Sequence, residues 1–192
     1  VNPMKSFLPL AIGALSLAAC NSETPENAAN DVDTAMLAPE TAPAEMDQAA
    51  GQSPQQFVDA VAASDMFEIE AAKLAQKSGK SQATKDFAAM MIKDHTASTS
   101  KLKAAAQKAQ PPVTPPTALP SDLQAKLDAL KSAGTNFDAI YAQQQVEAHD
   151  KALELLKSYS TSGSDAGLKA SATETATVVE AHAKHARDLP GK

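Results

Sequence analysis

Apolar residues recur every three to four positions through four long stretches of the chain, the spacing of amphipathic helices, and no stretch sustains the alternation of a strand. The first stretch opens at "SPQQ", where Ser53 can cap, Pro54 suits the first turn and Gln56 can close a capping box; Gly79 stops it, which predicts a helix over 54–78. A second helix is expected over 82–110, ended by Pro111-Pro112. The link "PPVTPPTALP" reads as stiff and extended. "SDLQ", Ser121 to Gln124, reads as another capping box, opening a short helix that ends near Ser132. A third long helix follows Asn136 and stops before the Ser/Gly stretch 160–164, and a fourth covers 165–188, closed by Pro190-Gly191. Four long helices and one short crossover helix make an all-α bundle.

Helical phase sorts the side chains of each stretch. On the first helix Phe57, Val61, Ala72 and Ala75 share a face with Asp65 and Glu68, while Glu70 points away. On the second, Phe87, Ala88, Met91, Leu102, Ala105 and Ala106 define the face, with His95 near its centre and Asp94 toward one margin. The third turns Phe137, Tyr141, Ala148, Ala152, Leu155 and Leu156 inward, with Gln145 and His149 flanking the stripe and Glu147, Asp150 and Glu154 outside. The fourth turns Leu168, Ala172, Ala176, Val179, Ala183 and Ala186 inward; His182 lies on the edge and His185 further round.

Three helices therefore each carry a histidine at or beside the core face, opposite the carboxylates of a fourth. Burying such groups without partners is costly. Two arrangements satisfy them. One is a transition-metal ion held by Glu68, His95, His149 and His182; the other, the commoner fate of core histidines, is a metal-free network linking the imidazoles to Asp65, Glu68, Tyr141 and Gln145. Counting rise along the helices from a shared bundle end spreads the four candidate ligands over about 10 Å, so not all of them need reach one ion. Methionines at helical spacing, such as Met90-Met91, read as core filling.

Composition adds where the chain works. The single cysteine, Cys20, closes "LSLAAC" after Met4-Lys5 and an apolar run too short to span a bilayer, the layout of an export signal with Met4 as its expected start. Leu17-Ala18-Ala19-Cys20 resembles the bacterial lipobox, which implies a signal peptide over 1–19 and lipidation of Cys20. Asn21 after the cysteine favours the outer membrane, facing the periplasm. From Asn21 to Gln52 the chain is rich in Ala, Pro, Glu and Asp, with seven acidic residues and no Lys or Arg, which predicts a disordered tether over 20–52 with a reach of roughly 30 Å. Of 17 Lys and Arg against 23 Asp and Glu, removing Lys5 and the seven tether acids leaves 16 of each for residues 53–192. A neutral domain lacks the electrostatic footprint of a nucleic-acid binder. Membrane contact through the lipid and an envelope protein partner are the expected associations.

The segments "SDMFEIEAAKLA" (64–75), "FAAMMIKDHTAS" (87–98), "FDAIYAQQQVEAHDKALELL" (137–156) and "LKASATETATVVEAHAKHARDL" (168–189) together resemble a bacterial ferritin-like family of unknown function, whose members are often labelled predicted outer membrane proteins. The resemblance spans about 54–189. It implies a ferritin-like four-helix bundle, and it picks out Glu68, Asp94, His95, Tyr141, His149 and His182 without supplying a reaction. True di-iron ferritins pair a glutamate with a histidine one turn later on two helices. Here the residues three before His95, His149 and His182 are Ile92, Val146 and Val179, so a ferroxidase centre lacks its carboxylates and iron storage is rejected. No catalytic nucleophile elbow, phosphate loop or paired-cysteine motif is present, which makes an enzyme the weaker expectation. The leading expectation is a lipid-anchored binding or structural module of the cell envelope, and the alternative is a metal-binding or redox-related bundle built on the inward histidines.

Overall fold

The computed structural model describes residues 52–191, in which all regular structure is helical: α1 (Pro54–Ser78), α2 (Gln82–Lys108), α3 (Ser121–Lys131), a 3-10 turn (Gly134–Asn136), α4 (Phe137–Ser162) and α5 (Ala166–Arg187). The expected signal peptide, Cys20 and nearly all of the tether lie outside the described residues. Among the described residues no helix is long and apolar enough to cross a membrane.

The helix ends follow local chemistry. At α1 the capping box forms as read, with the Ser53 side chain accepting from the Gln56 amide and Gln56 Oε1 accepting from the Ser53 amide. Ser81 caps α2 through the Thr84 amide at 3.0 Å. The expected box at "SDLQ" does not form: Pro120 occupies the cap position of α3 and no side chain caps it. With the cap at Pro120, Ser121 is already the first helical residue and Leu123 stands three residues after the cap with no group to reach back, while Gln124 donates to Asp128. α2 ends at Lys108 rather than 110, because Ala109 is already extended ahead of Pro111. Gly134, at φ +55°, makes the turn from α3 into α4. α4 runs on to Ser162, past the expected stop, and a Cβ at Gly163 would lie 2.5 Å from the Tyr159 ring.

Two antiparallel hairpins, α1–α2 and α4–α5, pack side by side, α1 against α4 and α2 against α5. Asp138, in the first turn of α4, accepts from the amides of Lys80 and Ser81 at 2.8 Å each, which pins that turn beside the α1–α2 loop. At the opposite end the Gln110 amide donates to Asp165 at 3.3 Å. The 109–136 connection therefore travels the length of the bundle. α3 rides on α1 and α4, tied by Lys126 Nζ to Glu147 at 2.8 Å and by Gln144 donating to the Lys126 carbonyl.

The interior is divided along the bundle axis. One apolar cluster, around Phe67, Phe87, Leu130, Phe137 and Tyr141, fills the end covered by α3. Another, around Phe57, Leu102, Leu156, Tyr159 and Leu168, fills the opposite end, with the Phe57 and Tyr159 rings stacked 3.9 Å apart. Every long helix changes cluster at a buried polar position: Asp65 and Glu68 on α1, His95 on α2, Gln145 and His149 on α4, His182 on α5.

The inward faces match the helical phase on α1, α2 and most of α5. α4 is rotated from expectation. Gln145 and His149 are fully buried rather than flanking, Gln144 is buried as well, and Ala148, Ala152 and Leu155 are only half-buried. The apolar pattern discounted the polar residues that lie at the centre of this face. His182 is likewise buried, not marginal.

Candidate metal centre

The polar residues at the waist of the bundle converge. His95, His149 and His182 are 6%, 1% and 3% exposed, and one ring nitrogen from each lies within 4.8 Å of the other two. Their ring centroids are 5.5–5.8 Å apart. The three are closer than counting along the helices suggested, since that count cannot register how the helices are staggered.

Each imidazole is held through one nitrogen by an acceptor. His95 Nδ1 donates to Asp65 Oδ1 at 2.8 Å, His149 Nδ1 to the Gln145 carbonyl at 2.8 Å, and His182 Nε2 to Asp94 Oδ2 at 3.0 Å. Carboxylates and carbonyls only accept, so the ring nitrogen facing each of them carries the proton. The other nitrogen of every ring, His95 Nε2, His149 Nε2 and His182 Nδ1, is buried without a hydrogen-bond partner. In the neutral imidazole that nitrogen is a bare lone pair. Thr99 reinforces the first anchor, its hydroxyl lying 3.2 Å from Asp65 Oδ2 and 2.9 Å from the His95 carbonyl. Nothing in the apolar pattern marks Thr99; only its position one turn after His95 could have suggested it.

The charge states follow from burial and neighbours. Burial drives His149 down to about 3, helped by the His95 charge, so it is neutral at any physiological pH. Burial also lowers His182, against the pull of Asp94. At His95 burial acts the same way but is outweighed by Asp65, Glu68 and Asp94, and its pKa is raised. Glu68 is raised to about 7 by burial, with the His95 charge and the Gln145 amide opposing. That amide is near enough to favour the carboxylate yet forms no hydrogen bond of regular geometry, and both Glu68 oxygens are unpaired. Glu68 Oε1 is 3.8 Å from His149 Nδ1, too long for a hydrogen bond and facing a neutral ring.

The metal-free network expected from the sequence is thus only half built. Asp65 takes its expected place, and Asp94 joins it. Gln145 contributes its backbone carbonyl rather than its side chain, and neither the Gln145 amide nor the Tyr141 hydroxyl bonds an imidazole. Tyr141 is fully buried, its pKa pushed well up by burial and by Glu68. His185, exposed on the surface, stands outside the cluster, its ring T-shaped to that of Phe87 with centroids 5.6 Å apart. Beside the histidines lies a cavity of about 40 Å³, floored by Glu68 and Asp65 and walled by Val61, Leu156 and Val179. About 10–15 Å³ suffices for one water, so the space fits an ion together with a small ligand.

Fold and centre together define an all-α bundle with a buried cluster of three histidines at mid-height, braced by two carboxylates and a backbone carbonyl. The chain belongs to the family described as "Domain of unknown function (DUF4142)", whose model matches residues 38–189. No curated protein gives a significant match to the chain. Among solved structures it is similar to "CopM in the Cu(I)-bound form" at TM-score 0.59 and to "CopM in the Cu(II)-bound form" at 0.60, each at 19% identity and over 71% of this chain, covering 94% and 95% of those chains. "CopM in the Ag-bound form (by co-crystallization)" follows at TM-score 0.57, with 19% identity and 93% of that chain covered. At this identity the likeness speaks for the fold.

Proposed function

We propose that the bundle binds a transition-metal ion, copper first and silver as its analogue, through His95 Nε2, His149 Nε2 and His182 Nδ1. One observation carries the reading: three buried imidazoles, each fixed through one nitrogen, keep the other nitrogen unpaired, and a ring nitrogen of each lies within 4.8 Å of the other two. Three unpaired ring nitrogens in an apolar core are an unfavourable way to build a hydrogen-bond network. They are the usual way to prepare metal ligands, whose second nitrogen is held by a carboxylate or carbonyl. Asp65, Asp94 and the Gln145 carbonyl fill that bracing role. Glu68 is the carboxylate within reach as a fourth ligand or counter-charge. Imidazole donors suit copper, zinc, nickel and iron alike; the likeness to CopM structures holding Cu(I), Cu(II) and Ag favours copper. The single long crossover between two hairpins supports the ferritin-like reading of the fold, and the apolar Ile92, Val146 and Val179 one turn before the histidines speak against a di-iron centre.

The test is metal analysis of protein purified without a polyhistidine tag and loaded in turn with Cu(I), Ag(I) and Zn(II). Close to one ion per chain is expected, lost when all three histidines are replaced by Ala; substoichiometric metal in every loading would end the reading. We further propose that this module works in the bacterial envelope, lipid-anchored through Cys20 at the outer membrane and facing the periplasm, where an envelope protein would be the partner. Cys20→Ser should abolish incorporation of labelled fatty acid in cells. Label retained by that variant would remove the anchor.

A further inference from the structure

We infer that the ion reaches the three histidines sideways, through the seam between α2 and α5, by a port framed by Asp94 and Val178. This rests on the metal-binding reading and concerns how that site is loaded. The cavity beside the histidines and an open depression of about 220 Å³ on the bundle surface share four residues, Asp94, Ser98, Thr175 and Val178. A single layer of side chains, three of them small or polar, therefore separates the cluster from water. Asp94 crosses that layer: one of its oxygens meets His182 Nε2 at 3.0 Å while its side chain remains 29% exposed.

Val178 is the other lip. At 45% it is the exposed large hydrophobic residue among the described residues, and it also lines the inner cavity. Within each hairpin and toward the two ends of the bundle the approach is closed. α1–α2 and α4–α5 are tightly packed hairpins, Phe87 stands edge-on to His149 at 6.2 Å toward the α3 end, and Leu156 and Val61 close the cavity on the other side. The burial of the rings is consistent with this direction, His149 on α4 being the deepest. An ion arriving at the seam would meet a carboxylate before an imidazole. Negative charge at a narrow mouth concentrates cations, and although Lys101 lines the outer depression with Glu174, Asp94 alone stands at its inner end. The rival way in is across α4, where half-buried Ala148, Ala152 and Leu155 line the same cavity.

The experiment is rapid-mixing uptake of Ag(I) by the full chain, followed by competition with a chromophoric chelator, for wild type, Val178→Trp, Ser98→Leu and Ala148→Leu. Thermal unfolding checks that each variant folds, and Ser98→Leu stands in if the tryptophan does not. Filling the seam should slow uptake by about tenfold or more while leaving the equilibrium affinity within about threefold, because a blocked approach changes both directions alike. Port variants that load at the wild-type rate, or slowing by Ala148→Leu alone, would overturn the route while leaving the metal centre standing. A wild type that takes up no silver, copper or zinc would overturn both.

Discussion

Replacing His95 with Ala separates a metal centre from a structural network by the size of one gap. In metal-free protein the change strips Asp65 Oδ1 of its 2.8 Å partner and leaves that carboxylate with Thr99 alone, in a place where its side chain is 4% exposed. A buried acceptor without a partner costs about 1–3 kcal/mol. The void adds to this, while removal of the unpaired His95 Nε2 offsets part of it. A net loss of about 1–3 kcal/mol lowers Tm by roughly 2–12 °C for a chain of this size. An ion present at a hundred times its dissociation constant stabilises the wild type by about 2.7 kcal/mol, a further rise of roughly 5–11 °C that His95→Ala forgoes. The gap between wild type and variant should therefore roughly double or more when Ag(I) or Cu(I) is added. Differential scanning fluorimetry with and without the ion reads both numbers, and Lys93→Ala, on the exposed face, should match the wild type throughout. An equal gap in both conditions would refute the metal centre, and no gap at all would refute the burial of His95.

Asp94→Asn keeps the shape of the His182 brace but weakens it, and should loosen metal binding by about tenfold or more, as removal of such braces does; unchanged affinity in a chelator competition would show that His182 needs no anchor. Glu68→Gln should stabilise metal-free protein increasingly as pH rises. The native carboxyl, raised to about 7 from 4.5, holds a proton that the unfolded chain has released across that window, so its cost is absent below pH 4.5 and complete above 7, on the order of 3 kcal/mol. Urea unfolding at pH 4.5 and pH 8 checks this, and a difference independent of pH would contradict it. Gly163→Ala would drive a Cβ to 2.5 Å from the Tyr159 ring and disturb its stack on Phe57, costing about 1–3 kcal/mol as overpacking does; a variant as stable as wild type in the same titration would show that the ring yields.

The helices were legible because their signals are local. Ser53, Gly79 and Pro111 act on their immediate neighbours, and the phase of α1 and α2 follows from large apolar side chains such as Phe57, Phe87 and Met91, whose stripe already takes in the polar Asp65, Glu68 and His95. On α4, Gln145 and His149 occupy the centre of the buried face, and a rule that puts polar residues outside turned the helix away from its true orientation. The three histidines could be named from phase and resemblance. Their approach to within 4.8 Å could not, since it depends on the stagger between helices, which the spacing along any one of them does not contain. Pro120 shows the same limit at short range, where a good capping sequence lost its cap to the residue just before it.

The division of the core has a consequence for how the helices find their alignment. Much of the buried surface is alanine, including Ala71, Ala72, Ala75, Ala88, Ala106 and Ala172, and small side chains at regular spacing offer several nearly equivalent axial positions. The polar layer breaks that degeneracy. Sliding α2 by one turn would carry His95 into one of the apolar clusters and strand Asp65 opposite a hydrocarbon side chain, and a buried polar group without a partner costs about 1–3 kcal/mol by mutational measures. The same charge falls on α1, α4 or α5 if any of them slips. The waist thus acts as a notch shared by four helices, selecting one register from the several that alanine packing alone would permit.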